Sequence, residues 1–187
     1  EGLHIDKDHF MTISPDEGSM SRAIYLANVL GVDMGMYYKR LDYSRYVNGR
    51  HPIAAYEFLG PKLEGKDMIL IDDMISSGDT IIKIASLLKE KGAGKVYICS
   101  TFGFFTDGLE KFDEAHKKGY FDKLLTTNLV YQSPELLEKP YYISCDMSKY
   151  IALIIDTLNH DMSVSHLLNP VDRIKRCVNK YMAQYEK

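Results

Sequence analysis

The sequence predicts an α/β protein with a mostly parallel, twisted sheet flanked by helices. Short apolar segments alternate along the chain with longer segments of helical periodicity. The short segments have β-branched and apolar cores, as strands of a parallel sheet covered on both faces do. No internal repeat or low-complexity linker interrupts the 187 residues, so we predict a single domain over 1–187.

Each element is predicted from its own stretch, taken here in chain order. Strands are predicted over 9–14, 33–38, 54–60, 68–72, 95–102 and 123–131. Helices are predicted over 21–31, 80–94, 108–119, 148–160 and 169–187. The first helix, for example, has apolar residues at helical spacing and closes on Gly31. The stretch 133–140 is predicted as a loop, and 163–168 as a short strand or a turn.

Composition narrows the class of protein. The chain is 45% hydrophobic and has a net charge of −3, which suits a globular core and argues against a nucleic-acid partner. Its longest apolar run, 150–158, is too short to span a membrane. The chain begins at Glu1 without an apolar leader, and its cysteines (Cys99, Cys145 and Cys177) look like buried thiols in a reducing compartment. We therefore expect a cytoplasmic protein without membrane or nucleic-acid partners.

Three predicted strands end in unusually polar stretches, 14–18, 37–42 and 71–80. Ligands of open α/β sheets bind beyond the carboxyl ends of the strands. If the sheet is parallel, all three stretches lie on one edge of it. The sequence therefore predicts a ligand site at that edge.

The stretch 71–80 carries the clearest chemistry. Two acids, Asp72 and Asp73, follow an apolar run and precede a small polar turn at a helix start. Such a start offers unpaired N–H groups that bind phosphate. The acids would repel phosphate unless they faced another part of the same ligand, and the hydroxyl groups of a phosphorylated sugar satisfy that condition. The alternative is a simple helix cap by Ser76 or Ser77.

These residues resemble a known family. The stretch "ILIDDMISSGDT" is similar to the ribose-5-phosphate loop of the type I phosphoribosyltransferase fold, and "ISPDEGSMSRAIYLANVLG" to the pyrophosphate loop of ribose-phosphate pyrophosphokinases. "YYKRLDYS" matches the start of the mobile catalytic loop in that family, and "SVSHLL" its terminus. The matches keep the same order from about His9 to Leu168.

The resemblance implies a ribose-phosphate diphosphokinase. Such an enzyme transfers pyrophosphate from ATP to ribose 5-phosphate, gives phosphoribosyl pyrophosphate and AMP, and uses Mg²⁺. Family members are typically homo-oligomers built from two similar halves. We expect this chain to correspond to the carboxyl-terminal half, because the motifs of the other half cannot be placed in it.

The resemblance also assigns roles to individual residues. Lys39 and Arg40 are expected to be catalytic, and Asp16 to ligate magnesium directly or through water. Ribose 5-phosphate is expected to bind Asp72, Asp73, Ser76, Ser77, Gly78, Asp79 and Thr80, with the Asp79 side chain pointing away. The pyrophosphate loop is expected to comprise Asp16, Glu17, Gly18 and Ser19. Whether Arg22 meets substrate or its own helix surface is left open.

Two departures from the family pattern keep alternatives open. Leu41 stands where the pattern has a second arginine, for which Arg45 or Arg50 could substitute. Ser19 replaces a glycine of the pyrophosphate loop, which narrows the backbone freedom there. The alternatives are a phosphoribosyltransferase acting on a nucleobase and a non-catalytic regulatory homologue.

Overall fold

Seven strands form one sheet in the computed structural model, which describes residues 3–46, 49 and 51–184. The strands are β1 (Phe10–Ser14), β2 (Asp33–Leu41), β3 (Ile53–Leu59), β4 (Asp67–Ile75), β5 (Val96–Gly103), β6 (Lys123–Thr127) and β7 (Tyr142–Cys145). The helices are α1 (Met20–Leu30), α2 (Asp79–Glu90), α3 (Glu110–Lys117), α4 (Pro134–Leu137), α5 (Ser148–Asn159), α6 (Ser165–Leu168) and α7 (Val171–Met182). A short 3₁₀ turn, Glu17–Ser19, precedes α1.

The strand order is β3-β2-β1-β4-β5-β6-β7, and every pair is parallel except β2 with β3. The chain leaves β1 toward one side of the sheet and later returns to its other side as β4. This reversal makes the carboxyl ends of β1 and β4 the topological switch point, where open α/β sheets form a crevice. The predicted α/β class with a mostly parallel sheet is confirmed.

The core holds the strand ends in place. Met11 and Ile13 of β1 and Leu70 of β4 are fully buried. Helix α2 covers them with an apolar stripe at helical spacing that includes Ile84 and Leu88. Burial of such side chains contributes about 1.5–3 kcal/mol each, so the central strands form the rigid part of the fold.

Two strands run further than their sequence pattern predicts. β2 continues through Lys39 and Arg40, because its antiparallel partner β3 pairs with it up to Leu41. β4 continues through both acids to Ile75, because β5 pairs with it over that whole length. Lys39, Arg40 and Asp73 therefore lie within strands rather than after them, and Asp72 lies within β4 as the predicted strand 68–72 already had it.

The carboxyl-terminal part corrects two predictions. The predicted loop 133–140 contains α4, whose Ser133 side chain caps the helix ahead of Pro134. It is followed by β7, a strand that sequence reasoning missed. The stretch 163–168, predicted as a strand or turn, contains the one-turn helix α6, which buries Leu167. Short elements of this kind lack the periodicity on which prediction depends.

The cysteines are all free, and burial raises the pKa of the Cys99 thiol to about 12. Cys177 is exposed on α7. Cys99 and Cys145 are partly buried, so the expectation of three buried thiols is met in part for these two and was wrong for Cys177.

Helix α5 is apolar and largely uncovered. Its only buried residue is Thr157, whereas Ile155 is 62% exposed and Leu158 58% exposed. Along the described residues, no helix has both the length and the apolar character needed to cross a membrane.

Candidate functional site

A cleft of about 340 Å³ opens at the switch point between β1 and β4. Its walls come from the segment after β1, the end of β4 and the start of α2. The lining residues are Asp16, Gly18, Ser19, Asp72, Asp73, Met74, Ile75, Ser76, Ser77, Gly78, Asp79, Thr80 and Ile81. Most residues of the predicted sugar-phosphate and pyrophosphate sites therefore border one cleft.

Side-chain contacts tie the three polar strand ends together. The Ser19 hydroxyl donates a hydrogen bond to Asp72 Oδ1 at 2.7 Å, which joins the segment after β1 to β4. The Nζ atom of Lys39 on β2 lies 3.0 Å from Asp16 Oδ2. The expected juxtaposition of these stretches is thus present in the fold.

The Asp16 carboxylate organises the segment after β1. Its Oδ1 atom accepts the Gly18 N–H at 3.1 Å and so caps the 3₁₀ turn, while Oδ2 meets Lys39. The buried Ser14 hydroxyl donates to the Asp16 carbonyl at 2.6 Å. Both the backbone and the side chain of Asp16 are therefore fixed at the edge of the cleft.

The two adjacent acids have different surroundings. Burial raises the pKa of the Asp72 carboxyl, and the charge of Asp16 acts in the same direction, whereas hydrogen bonds from Ser19 and the Asp73 N–H lower it. The Asp73 side chain is 44% exposed and lies 3.5 Å from Arg22 Nη2. Asp73 therefore presents its carboxylate to the cleft more freely than Asp72 does.

The turn after β4 depends on Gly78. This residue has φ 87°, in the left-handed region, immediately before α2 begins at Asp79. A Cβ atom there would lie 2.2 Å from Phe112 Cζ of α3, so no larger side chain fits. The turn is therefore seated directly on α3, and its outer side faces the cleft with the N–H groups of the first turn of α2.

The Asp79 side chain is held by α3. Lys111 Nζ lies 2.7 Å from Asp79 Oδ1 and 3.2 Å from Asp107 Oδ2. The Ser77 hydroxyl donates to Asp79 Oδ2 at 2.9 Å. Hydrogen bonds from Lys111 and Ser77 lower the pKa of the Asp79 carboxyl.

Some expected site residues lie outside the cleft lining. Glu17 is one, and Lys39 reaches the cleft only through Asp16. Arg40 points to the opposite face of the sheet, where its Nε lies 2.8 Å from Glu57 Oε1. Arg45 contacts Asp42 at 3.6 Å, and Arg50 lies outside the described residues.

Sequence reasoning missed several neighbours of the site. Met74, Ile75 and Ile81 line the cleft, and Lys111 reaches the turn from α3. The sequence pattern predicts these three apolar residues only as part of the hydrophobic core. Lys111 is 32 positions beyond Asp79, and nothing in the local sequence around it signals this contact.

The cleft is bordered by carboxylate oxygens, which are the ligands that hard cations prefer. Within residues 3–46, 49 and 51–184, no three Asp, Glu, His or Cys side chains cluster in a way that could bind a metal. Both oxygens of Asp16 already have partners. Mg²⁺ is commonly held by one or two carboxylates plus water and substrate phosphates, which suits an oxygen-lined cleft of this kind.

Fold and cleft together define the class of the protein, a type I phosphoribosyltransferase-like α/β domain. The family model described as phosphoribosyl synthetase-associated domain matches residues 55–169. The chain belongs to this family.

Individual relatives agree with that assignment. The chain is 32% identical over 121 residues to a ribose-phosphate pyrophosphokinase of Thermococcus kodakarensis, covering 64% of this chain and 39% of the relative. It is 29% identical over 163 residues to that of Shewanella oneidensis, covering 87% of this chain and 49% of the relative. The chain therefore spans half or less of the length of these curated relatives.

A solved structure supports the fold. The phosphoribosylpyrophosphate synthetase from Mycobacterium smegmatis superposes with a TM-score of 0.67 at 24% identity, covering 81% of this chain and 45% of that one. At this identity the likeness concerns the fold alone.

Proposed function

We propose that this chain is the part of a ribose-phosphate diphosphokinase that binds ribose 5-phosphate and receives the transferred pyrophosphate. The observation that carries the proposal is the single cleft bordered by paired acids, a helix-capped polar turn and the segment after β1. Relatives named ribose-phosphate pyrophosphokinase support it. We also propose that it acts in the cytoplasm, where such substrates occur.

The proposal implies one orientation of ribose 5-phosphate in the cleft. Its phosphate would accept hydrogen bonds from the turn between β4 and α2, where the helix start favours an anion. Its ring hydroxyls would donate to the carboxylate of Asp73, which is the more exposed of the two acids. The 1-hydroxyl would then point toward the segment after β1, on the other side of the cleft.

The reaction forms a bond between the ribose 1-oxygen and the β-phosphorus of ATP, and it breaks the bond from that phosphorus to the oxygen that leaves with AMP. The proton of the 1-hydroxyl is released to water. It needs positioning and charge neutralisation rather than covalent chemistry by the protein. Lys39 would supply positive charge to the transferred group, since its ammonium lies at the cleft edge on Asp16. Arg40 stays a predicted catalytic residue, although it faces away from the cleft.

Magnesium would enter with the nucleotide. Asp16 would hold the ion directly or through water, and the ion would neutralise phosphate charge. For this, the Asp16 carboxylate must exchange its contact with Lys39 for the ion, which would release the lysine toward the phosphates.

The proposal is tested by mixing the full-length protein that contains this chain with Mg²⁺, ATP and ribose 5-phosphate and measuring AMP and phosphoribosyl pyrophosphate. Equal amounts of both products are expected. Calorimetry with ribose 5-phosphate alone should show binding that Asp73→Asn weakens by about tenfold, the value of a charged hydrogen bond. Binding unchanged by Asp73→Asn would remove this residue from the site.

One observation favours a non-catalytic regulatory homologue instead. Leu41 ends β2 where the family pattern has a cation, and the nearby Arg45 is 75% exposed beside Asp42. Ribose 5-phosphate binding without product formation would support that reading. Release of pyrophosphate from phosphoribosyl pyrophosphate only when a nucleobase is added would support the transferase reading.

We further propose that the protein forms a homo-oligomer in which α5 packs against α5 of a second copy. The helix carries exposed Ile151, Ile155 and Leu158 on its surface. These three residues follow the i, i+4, i+7 spacing of one helix face. An antiparallel pair that buries this stripe would use the same surface in both copies, as a two-fold interface requires.

A further inference from the structure

The turn that should bind phosphate contains a carboxylate. Asp79 lines the cleft, and its side chain is 72% exposed. Lys111 and Ser77 keep its pKa below the usual range, so it is ionised at neutral pH. An unopposed negative charge at this position would repel a phosphate dianion.

Asp79 also competes for the groups that phosphate would use. It takes the Ser77 hydroxyl as a hydrogen-bond donor at 2.9 Å. It stands in the first turn of α2, where the positive end of the helix attracts any nearby anion. The turn therefore binds phosphate well only if the Asp79 carboxylate is kept aside and its charge is offset.

Lys111 is placed to meet both conditions. Its Nζ atom is 2.7 Å from Asp79 Oδ1, and its side chain is only 30% exposed, so it approaches from the α3 side of the turn. A second contact of 3.2 Å to Asp107 fixes the ammonium group in that place. The next residue, Phe112, lies directly under Gly78, which sets the spacing between α3 and the turn.

We propose that Lys111 is a positioning residue for phosphate binding, which holds the Asp79 carboxylate against α3 and offsets its charge so that the turn can accept the 5-phosphate. The inference rests on the proposed function, because it takes ribose 5-phosphate as the ligand. Lys111 acts through Asp79 and does not itself touch the phosphate.

A double-mutant cycle tests this, with calorimetric binding of ribose 5-phosphate as the measurement. Lys111→Met should weaken binding by about five- to tenfold, the effect of one uncompensated charge near a surface. Asp79→Asn should tighten it by about two- to fivefold, since a repelling charge is removed. In the Asp79→Asn background, Lys111→Met should change affinity by less than about twofold.

The control is Lys118→Met, which removes the same charge just beyond the carboxyl end of α3, where Lys118 Nζ lies 3.7 Å from Glu114 Oε2. It should leave affinity within about twofold. Thermal melts of all variants separate binding from folding. If Lys111→Met does not fold, the Asp79→Asn variant alone tests the inference. Weaker binding of ribose 5-phosphate by Asp79→Asn would contradict it.

The remaining outcomes of the double-mutant cycle show whether the inference or the proposed function is wrong. An equal loss from Lys111→Met in both backgrounds would mean that the lysine contacts the phosphate directly, which overturns the inference. No loss in either background would make Lys111 purely structural, with the same consequence. Absence of binding by the wild-type protein would instead overturn the proposed function.

Discussion

Lys39 and Arg40 are neighbours in β2, and their side chains leave opposite faces of the sheet. Lys39 shares a face with the buried Tyr37 and reaches Asp16, whereas Arg40 pairs with Glu57 in solvent. The alternation of a strand separates them. Of these two cations, which are adjacent in the sequence, Lys39 therefore lies at the edge of the cleft and Arg40 does not.

Lys39→Ala should lower kcat by about tenfold or more, because a charge that stabilises the transferred phosphoryl group is lost. It should cost only about 0.5–1 kcal/mol of stability, a shift of about 1–4 °C in Tm. Steady-state kinetics and a thermal melt measure the two quantities. Lys62→Met, whose ion pair with Glu64 is exposed and remote from the cleft, is the control. A kcat loss matched by equal unfolding would contradict the role.

The raised pKa of Asp72 makes the stability of the protein depend on pH in a defined direction. Because burial raises its folded-state pKa, the native state binds a proton more tightly than the unfolded chain does. The contribution of Asp72 to stability is therefore fully present below the unfolded pKa and is lost as pH rises through the folded pKa. Asp72→Asn should thus gain stability relative to wild type from acid to neutral pH. Urea unfolding of both proteins across that range measures it, and a difference that does not vary with pH would refute the assignment.

At the scale of elements, the turn before α2 depends on α3 beneath it. Gly78 combines a left-handed φ with a contact distance that excludes a Cβ atom. Packing against α3 therefore requires glycine at this position, in addition to any requirement set by a ligand that approaches from the cleft. Sequence reasoning assigned it only the second role, since Phe112 lies 34 positions later in the chain.

Gly78→Ala should destabilise the protein by about 2–4 kcal/mol, because backbone strain and overpacking against Phe112 add. Gly31→Ala is a matched control. Gly31 has φ 71°, but apart from its own chain neighbours no atom of the described residues would lie within 4 Å of an alanine Cβ at that position. This substitution should cost only about 1 kcal/mol. Urea unfolding compares the two, and similar losses would show that the contact with Phe112 carries no penalty.

Helix α5 has apolar side chains that stay exposed to solvent in the single chain. Its sequence predicts a helix, and the helix is present, but its apolar residues lie on the surface. Ile155→Asp should shift the protein from dimer or larger assembly toward monomer in sedimentation velocity runs. Tyr131→Asp, at an exposed aromatic residue elsewhere, should not. An assembly state unchanged by Ile155→Asp would contradict packing through α5.

At the scale of the whole molecule, the long periodic elements and the meeting of polar strand ends could be predicted from the sequence. Alternating strands and helices fix the order of a parallel sheet, and a parallel sheet brings 14–18 and 71–80 to one edge. The rest depends on distant pairing. β7, the extension of β4 to Ile75 and the contact of Lys111 with Asp79 arise only when separate segments pack.

Strand β2 extends beyond the part of it that pairs with β1. Its pairing with β1 stops at Met36, so the five residues from Tyr37 to Leu41 are joined in the sheet to β3 alone. A two-stranded ribbon twists and bends more readily than the middle of a wide sheet. Lys39 thus lies on a two-stranded extension, beyond the buried Tyr37, that can bend more than the central strands. Under the proposed function, that bending would let the ammonium group follow an incoming triphosphate at small cost to the core.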